Sequence, residues 1–309
     1  MKPSLVSRNK INALFLGLTC LTAVSAQAAQ GGARQQSPLT LSVSRIGVGE
    51  ADVGEADVGD SGLALQRDTW LFGAKTSYAL NRQWSLSASI SYDRLEYDWS
   101  GRGASLLDGN LAPWSNVDRY GVGLGVSFRP NNRWLFMLAP KLQYAYGEGT
   151  SSSNAQSYGV VASGMYRFNG GNMLGLGVAY LNDISEVRTL PYLAVNWQIT
   201  DKLKLANPFS AGFSGPAGLE LSYQWYESLD VGVGSSKRTQ RFLVEDEDVT
   251  LEIDEWVGFV RAGWQATEPL KFDAYLGYFF SGEIELSSPK TQESLENQLA
   301  LAFSAQYRF

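Results

Sequence analysis

Two acidic stretches are the parts of this sequence whose residue types and spacing could do chemistry. GEADVGEADVGD occupies residues 49–60, and EDEDVTLEIDE occupies residues 245–255. Carboxylate oxygens suit calcium, but neither stretch has the spacing of an EF-hand loop with its bidentate glutamate at position twelve. We therefore expect both to be solvated surface loops. The carboxylates of the first stretch are Glu50, Asp52, Glu55, Asp57 and Asp60.

Catalytic and metal chemistry is limited by what the composition lacks. The chain has no histidine and one cysteine, so Ser–His triads are excluded and the usual zinc ligands are scarce. GVGSSKRT at residues 232–239 lacks the spacing of a phosphate-binding loop. A carboxylate-only or Ser–Lys mechanism stays open in principle. We therefore expect that the protein is not an enzyme and that it has no catalytic residue, metal site or cofactor.

The first 28 residues have the pattern of a secretory signal peptide. Basic residues precede the apolar stretch INALFLGLTCLTAV, and the small-residue motif AQA ends at Ala28, after which we expect cleavage. A lipoprotein signal using Cys20 is the alternative, but Thr19 stands where a smaller residue is expected. We expect a short periplasmic N-terminal segment at residues 29–38 and a single domain at residues 39–309.

Alternation with a period of two residues dominates that domain and predicts β-strands. In WSLSASISY, residues 84–92, one face is apolar and the other is serine; in YGVGLGVSF, residues 120–128, the second face is mostly glycine. Each apolar face begins and ends on an aromatic residue. Eight to ten residues at ~3.3 Å each and ~40° tilt rise roughly 20–25 Å, which matches the apolar band of an outer-membrane barrel.

The connections alternate between short and long, which favours a transmembrane barrel with turns on one side and loops on the other. The pattern predicts an all-β, antiparallel, up-and-down β-barrel of about fourteen strands, or twelve if the first strand and the one at residues 202–206 are lost. A soluble sandwich or lipocalin-like barrel is the alternative, but the serine and glycine faces would cover a soluble surface poorly. The longer connections are expected at residues 49–62, 100–117, 147–156, 206–217, 243–254 and 282–296.

The signal peptide, the aromatic-bounded strands and the terminal LALAFSAQYRF resemble Gram-negative outer-membrane β-barrels. The stretch at residues 215–242 further resembles a large uncharacterised family of porin-like barrels. The resemblance implies a bacterial outer-membrane location. It also implies that Tyr307 and Phe309 form the C-terminal signal read by the barrel-assembly machinery.

Inward-facing charges are the candidate lumen lining, because alternation places them opposite the apolar face. They could pair across the lumen and shut it, or line a watery channel. The serine- and glycine-rich faces favour a passive, porin-like channel for small polar solutes; a closed barrel with a structural or surface-interaction role is the alternative. The candidates are Lys75, Asp93, Arg119, Lys141, Arg167, Glu220, Asp230, Arg261, Lys271 and Asp273, and the same rule adds Arg129, Arg238 and Arg308.

The expected partners follow from the predicted location. They are outer-membrane lipids, lipopolysaccharide and the barrel-assembly machinery, and an acidic chain with a net charge of −6 is a poor nucleic-acid binder. A further hypothesis is that the two acidic stretches bridge lipopolysaccharide phosphates through divalent cations.

Overall fold

The computed structural model describes residues 39–54, 62–102, 106–107, 110–150, 153–182, 187–207, 218–245 and 249–309. The predicted signal peptide and the predicted segment 29–38 lie outside these ranges, as do Glu55, Asp57 and Asp60 of the first acidic stretch. Within the described ranges no helix has the length and apolar character needed to cross a membrane.

Strands make up almost all of the described chain. They are β1 Leu39–Val53, β2 Leu63–Ala79, β3 Trp84–Gly101, β4 Asn116–Phe128, β5 Trp134–Gly147, β6 Gln156–Arg167, β7 Met173–Asn182, β8 Val187–Gln198, β9 Leu203–Ala206, β10 Gly218–Tyr226, β11 Leu229–Glu245, β12 Val249–Gln265, β13 Leu270–Ser287, β14 Lys290–Leu295 and β15 Gln298–Arg308.

The described strands close into a single antiparallel barrel. Each pairs with its neighbour in the chain, and β1 pairs with β15 to complete the ring. Segments β14 and β15 both pair with β13 on one side and β1 on the other, so they are two parts of one barrel strand interrupted at residues 296–297. The described chain therefore forms a fourteen-stranded barrel, as the sequence predicts.

Short turns connect the strands at one rim, here called the turn rim, and their side chains explain why they are tight. Asn81 Oδ1 accepts hydrogen bonds from the backbone N–H groups of Gln83 and Trp84 at 2.8 and 2.9 Å. Asn131 repeats the arrangement with Arg133 and Trp134 at 2.8 and 3.0 Å. Asparagine favours such turns because its side chain substitutes for a backbone acceptor.

The two faces of the strands differ as the period of two requires. Outward positions are large and exposed: Leu299, Leu301 and Phe303 are 54–64% accessible, whereas Ala300 and Ala302 between them are 0–3% accessible. Outward aromatic residues cluster near the turn rim and again about ten residues along the strands. The turn-rim group includes Trp84, Trp134, Trp225, Trp264 and Phe309.

Three predicted connections at the opposite rim, here called the loop rim, are partly strand in the structure. The prediction of a solvated loop at residues 49–60 is wrong for residues 49–53, because β1 continues to Val53. The β11–β12 and β13–β14 hairpins continue through most of residues 243–254 and 282–296. The prediction of a solvated acidic loop at residues 245–255 is therefore wrong for the strand at 249–255. The acidic residues there alternate with Leu251 and Ile253, which are 0–1% exposed, so the same period of two continues beyond the aromatic band.

The barrel wall is lowest at β9, which has four residues. Asn207 follows it and joins the flanking strands. Its Oδ1 accepts from the N–H of Val195 at 2.6 Å, and its Nδ2 donates to the carbonyls of Leu193 and Gly218 at 3.0 Å each. One side chain thus provides hydrogen bonds to β8 and β10 where β9 stops.

Candidate functional site

The lumen is the candidate functional site, and its loop-rim half is filled by buried apolar side chains, which we call the apolar plug. The connection between β3 and β4 folds into it, since Leu106, Leu107 and Leu111 are 0–5% exposed. Burial at this level removes apolar area from water at about 25 cal/mol per Å². The wall residues of the plug are Ala51, Val53, Leu63, Leu65, Leu95, Tyr97, Val117, Ala145, Phe242, Leu251, Ile253, Ile284, Leu286 and Leu295.

The apolar plug joins opposite sides of the barrel. Tyr97 on β3 donates a hydrogen bond to Gln240 Oε1 on β11 at 2.9 Å, and its ring centroid lies 5.6 Å from that of Phe242. Leu243 on β11 also forms a parallel bridge with Tyr146 on β5, six strands away in the sheet order. Contacts of this kind pack described residues of opposite walls against each other at the loop rim.

A layer of buried ion pairs, the ion-pair layer, lies directly on the turn side of the apolar plug. Arg67 on β2 donates two hydrogen bonds to Glu255 on β12 at 2.7 and 2.6 Å, although these strands are not neighbours. The two side chains are 4% and 2% exposed. Arg67 also donates to Gln298 Oε1 at 3.2 Å. Arg119 donates to Asp93 at 2.7 Å, and both are largely buried.

The ion-pair layer contains a third arginine. Arg238 is 9% exposed and stands opposite Glu255 in the β11–β12 register. Its guanidinium lies 5.8 Å from the centroid of the Phe279 ring, and that of Arg67 lies 5.5 Å from the same ring. Cation–π contacts of this geometry are attractive, more so when water is excluded. Three arginines, Arg67, Arg119 and Arg238, thus accompany two carboxylates, Asp93 and Glu255.

The turn-rim half of the lumen holds a second charged group, the Arg261 cluster. Arg261 donates to Glu220 at 3.0 and 2.7 Å and to Asp273 at 2.8 Å, and it also binds Asp230. Lys271 lies 3.2 Å from Asp273 and 3.7 Å from Asp230. The guanidinium is 8% exposed, and its charge-assisted hydrogen bonds satisfy a donor set that burial would otherwise penalise.

Strands β2–β6 form a different wall in the same half. Small residues dominate it: Ser85, Ser87, Ser89 and Ser91 are half-buried and pair in register with the glycines of β4 or with Ser127. Basic side chains project from the same inward positions, and we call them the basic wall. Lys141 donates to Gln143 Oε1 at 2.8 Å. The basic wall consists of Lys75, Arg129, Lys141 and Arg167, all half-buried.

The structure separates the predicted lumen residues into these groups. Asp93, Arg119 and Arg238 lie in the ion-pair layer; Glu220, Asp230, Arg261, Lys271 and Asp273 form the Arg261 cluster; Lys75, Arg129, Lys141 and Arg167 form the basic wall; Arg308 is exposed at the turn rim.

Sequence reasoning missed Arg67 and Glu255, the pair that spans the ion-pair layer. Alternation along β2 was sufficient to place Arg67 inward, since it shares parity with Lys75. Glu255 was assigned to the edge of a loop, and only the extension of β12 places it inside. Arg188, which donates to Glu252 at 3.2 Å, was missed for the same reason.

Tyr307 and Phe309 face outward at the turn rim, and their ring centroids are 4.8 Å apart. Over the described ranges no group of three histidine, cysteine or acidic side chains is arranged to hold a metal ion.

The sequence matches the family model described as outer membrane protein beta-barrel domain over residues 16–215. No curated protein matches it. Solved structures that resemble it include an outer membrane channel from Pseudomonas putida F1, at 10% identity and a TM-score of 0.47, covering 90% of this chain and 100% of that one.

Two more are a Pseudomonas aeruginosa FadL homologue and the translocator domain of the autotransporter NalP from Neisseria meningitidis. The first has 12% identity and a TM-score of 0.37, covering 89% of this chain and 91% of that one. The second has 11% identity and a TM-score of 0.34, covering 91% and 90%. Similarity at this level carries no functional information.

Proposed function

Because this chain belongs to the outer membrane protein β-barrel domain family, we propose that it is a channel for small polar solutes that is held closed at its extracellular side. In such barrels short turns face the periplasm and long loops face outward, so the turn rim is periplasmic. The observation that carries the proposal is the polar, half-buried lumen wall in the turn-rim half, which is followed towards the loop rim by the ion-pair layer and the apolar plug. The proposed function requires no catalytic step and no cofactor.

The periplasmic half of the lumen has the character of a water-filled vestibule. Its serine and glycine residues have small side chains, which leave space in the lumen for water. Its basic side chains are half-buried, so they remain partly accessible to that water. A fourteen-stranded barrel is wider than the eight-stranded barrels whose interior side chains fill it. Burying charged side chains has a desolvation cost that apolar side chains do not have. A barrel with a purely structural role would therefore be filled at lower cost by apolar residues than by the buried charges found here.

The extracellular half favours a channel that must open over one that is always open. Phe242, Leu251 and Ile284 are 0–1% exposed and belong to one cluster with residues from β1–β5. Water does not pass through side chains that are packed as closely as those of a protein interior. We therefore place the gate at the apolar plug and the ion-pair layer.

Single-channel recording in planar bilayers tests this proposal. We expect the natural protein to open rarely and Phe242→Ala to open far more often, because truncation leaves a cavity in the plug. Phe303→Ala is the matched control, since Phe303 is 61% exposed on the outer face. Its openings should be as rare as those of the natural protein.

A silent Phe242→Ala barrel that is correctly folded would overturn the channel proposal. The second candidate is a closed barrel with a structural or surface-interaction role. It would then be favoured, because the apolar plug is also expected in a barrel that never opens. Under that candidate neither variant conducts, and loss of the protein changes envelope stability or adhesion instead.

The outer face is proposed to contact membrane lipids directly. Leu41, Phe72, Ile90 and Val122 border an apolar groove on this face, below the aromatic side chains of Tyr92 and its neighbours. Exposed apolar and aromatic residues at these heights match the hydrocarbon band and its interfaces.

A further inference from the structure

Arg238, on β11, is a buried cation whose guanidinium forms no hydrogen bond within the described part of the chain. It lies in the ion-pair layer and is 9% exposed. Its register partner Glu255 accepts hydrogen bonds through both carboxylate oxygens from Arg67, at 2.7 and 2.6 Å. Among the described ion pairs Glu255 joins Arg67 and not Arg238. The N–H donors of the Arg238 guanidinium therefore lack an acceptor where water is largely excluded.

Arg67 has a further donor without an acceptor at the same place. Its Nη1 and Nη2 atoms donate to Glu255, and Nη2 also donates to Gln298 Oε1 at 3.2 Å. Its Nε atom is buried and has no hydrogen-bond partner among the described residues. Because Nε and Nη2 lie on the same edge of the planar guanidinium, this N–H is directed to the side on which Gln298 lies.

Gln298, on β15, provides the third set of donors. Its Oε1 atom accepts from Arg67, which fixes the orientation of the amide and identifies the other atom as the Nε2 donor. That Nε2 atom is buried and has no partner in the described ranges, and the residue is 3% exposed. The unpaired group of Gln298 is therefore a donor, as it is in Arg67.

The Phe279 ring brings these donors together. Phe279 on β13 and Gln298 on β15 are register partners, and both are buried. The guanidinium of Arg67 lies 5.5 Å from the centroid of the ring, and that of Arg238 lies 5.8 Å from it. Donors from β2, β11 and β15 thus converge around one aromatic side chain.

Buried donors that converge in this way form a site for an acceptor, because a hydrogen bond left unmade in a protein interior is costly. An anion accepts from several N–H groups at once and places a negative charge beside Arg238. The three donor side chains are 3–9% exposed, so the site suits a small ion rather than an organic solute.

We propose that the ion-pair layer binds a small anion, of about the size of chloride, through Arg238, Arg67 and Gln298. The inference goes beyond the channel proposal and does not depend on it, because binding requires no conduction.

Bromide is the probe, because its anomalous X-ray scattering distinguishes it from water. Crystals of the purified barrel soaked in sodium bromide should show an anomalous peak within hydrogen-bonding distance of Arg238 and Gln298. Arg238→Met removes the guanidinium and should lose the peak. Gln298→Glu places a carboxylate among the same donors and should also lose it. Arg94→Met is the matched control and should keep the peak, because Arg94 lies on the outer face with its side chain 47% exposed.

Thermal unfolding in solution tests the same site at lower bromide concentrations. A ligand that binds the folded state raises the unfolding midpoint. Sodium bromide should therefore raise the midpoint of the natural barrel and of Arg94→Met more than that of Arg238→Met or Gln298→Glu. A crystal peak without this difference would be binding at crystal concentration only and would overturn the inference.

Three other results would also overturn it: an ordered water alone at this position, a peak that persists in Arg238→Met or Gln298→Glu, or loss of the peak in Arg94→Met. If Arg238→Met does not fold, Gln298→Glu decides the outcome. Silence of Phe242→Ala in planar bilayers would overturn the channel proposal and leave the anion site intact, so the two failures are distinguishable.

Discussion

Replacing Glu255 by glutamine should open the closed lumen, because this carboxylate pairs with an arginine across it. It accepts two hydrogen bonds from Arg67 and stands opposite Arg238 in the sheet register. Glutamine keeps the size of the side chain and removes its charge. Two guanidinium groups packed on the Phe279 ring would then share no carboxylate.

The magnitude follows from burial. Arg67 and Glu255 are 4% and 2% exposed, and removing one partner of a buried ion pair costs about 3–5 kcal/mol. At about 1.4 kcal/mol per factor of ten, this equals roughly 10²- to 10⁴-fold in an equilibrium constant. If opening hydrates the arginines, the ratio of closed to open channels falls by that factor.

Single-channel open probability is the assay, with Arg67→Met as the comparator. Arg67→Met should open the channel less, because Arg238 remains close to Glu255 and can compensate its charge. Folded barrels are identified by their resistance to unfolding in cold SDS. The reasoning would be refuted by a folded Glu255→Gln barrel that opens as rarely as the natural protein, or by Arg67→Met opening more often than Glu255→Gln.

Three further changes have defined outcomes. Arg261→Met should lower the free energy of unfolding by about 3–5 kcal/mol, because it leaves three carboxylates in the lumen with Lys271 as their main cation. Urea titration in lipid vesicles measures this change. An unchanged midpoint would contradict a stabilising role for the Arg261 cluster. Leu251→Ala should cost about 2–5 kcal/mol, because Leu251 is 0% exposed in the apolar plug; the same titration checks it, with the outward Leu276→Ala as the smaller-effect control. Asn207→Ala should speed hydrogen exchange at the N–H of Val195, because that donor loses its acceptor; mass spectrometry of the β8 peptide detects it, and equal exchange would show that the bond is dispensable.

Much of the barrel was predictable from local pattern. The alternation in residues 84–92 and 120–128 indicated strands, and the structure has β3 and β4 there. The short strand expected at residues 202–206, whose loss would reduce the strand number, is present as β9. Errors concentrate at the loop rim, where β12 begins at Val249. There the acidic residues of an alternating strand have the composition of a solvated loop.

The sequence by itself determined the faces of the strands, favoured fourteen strands over twelve, and indicated an outer-membrane barrel. The reason is that alternation with a period of two residues is a local property of the sequence. The thickness of the membrane fixes the length of the apolar face between its two aromatic ends. Only the tertiary structure decided which inward residues meet across the lumen. Arg67 reaches Glu255, and Tyr97 reaches Gln240, because closure of the barrel brings β2 near β12 and β3 near β11. No periodicity along the chain encodes such contacts, since they depend on the curvature and width of the closed sheet.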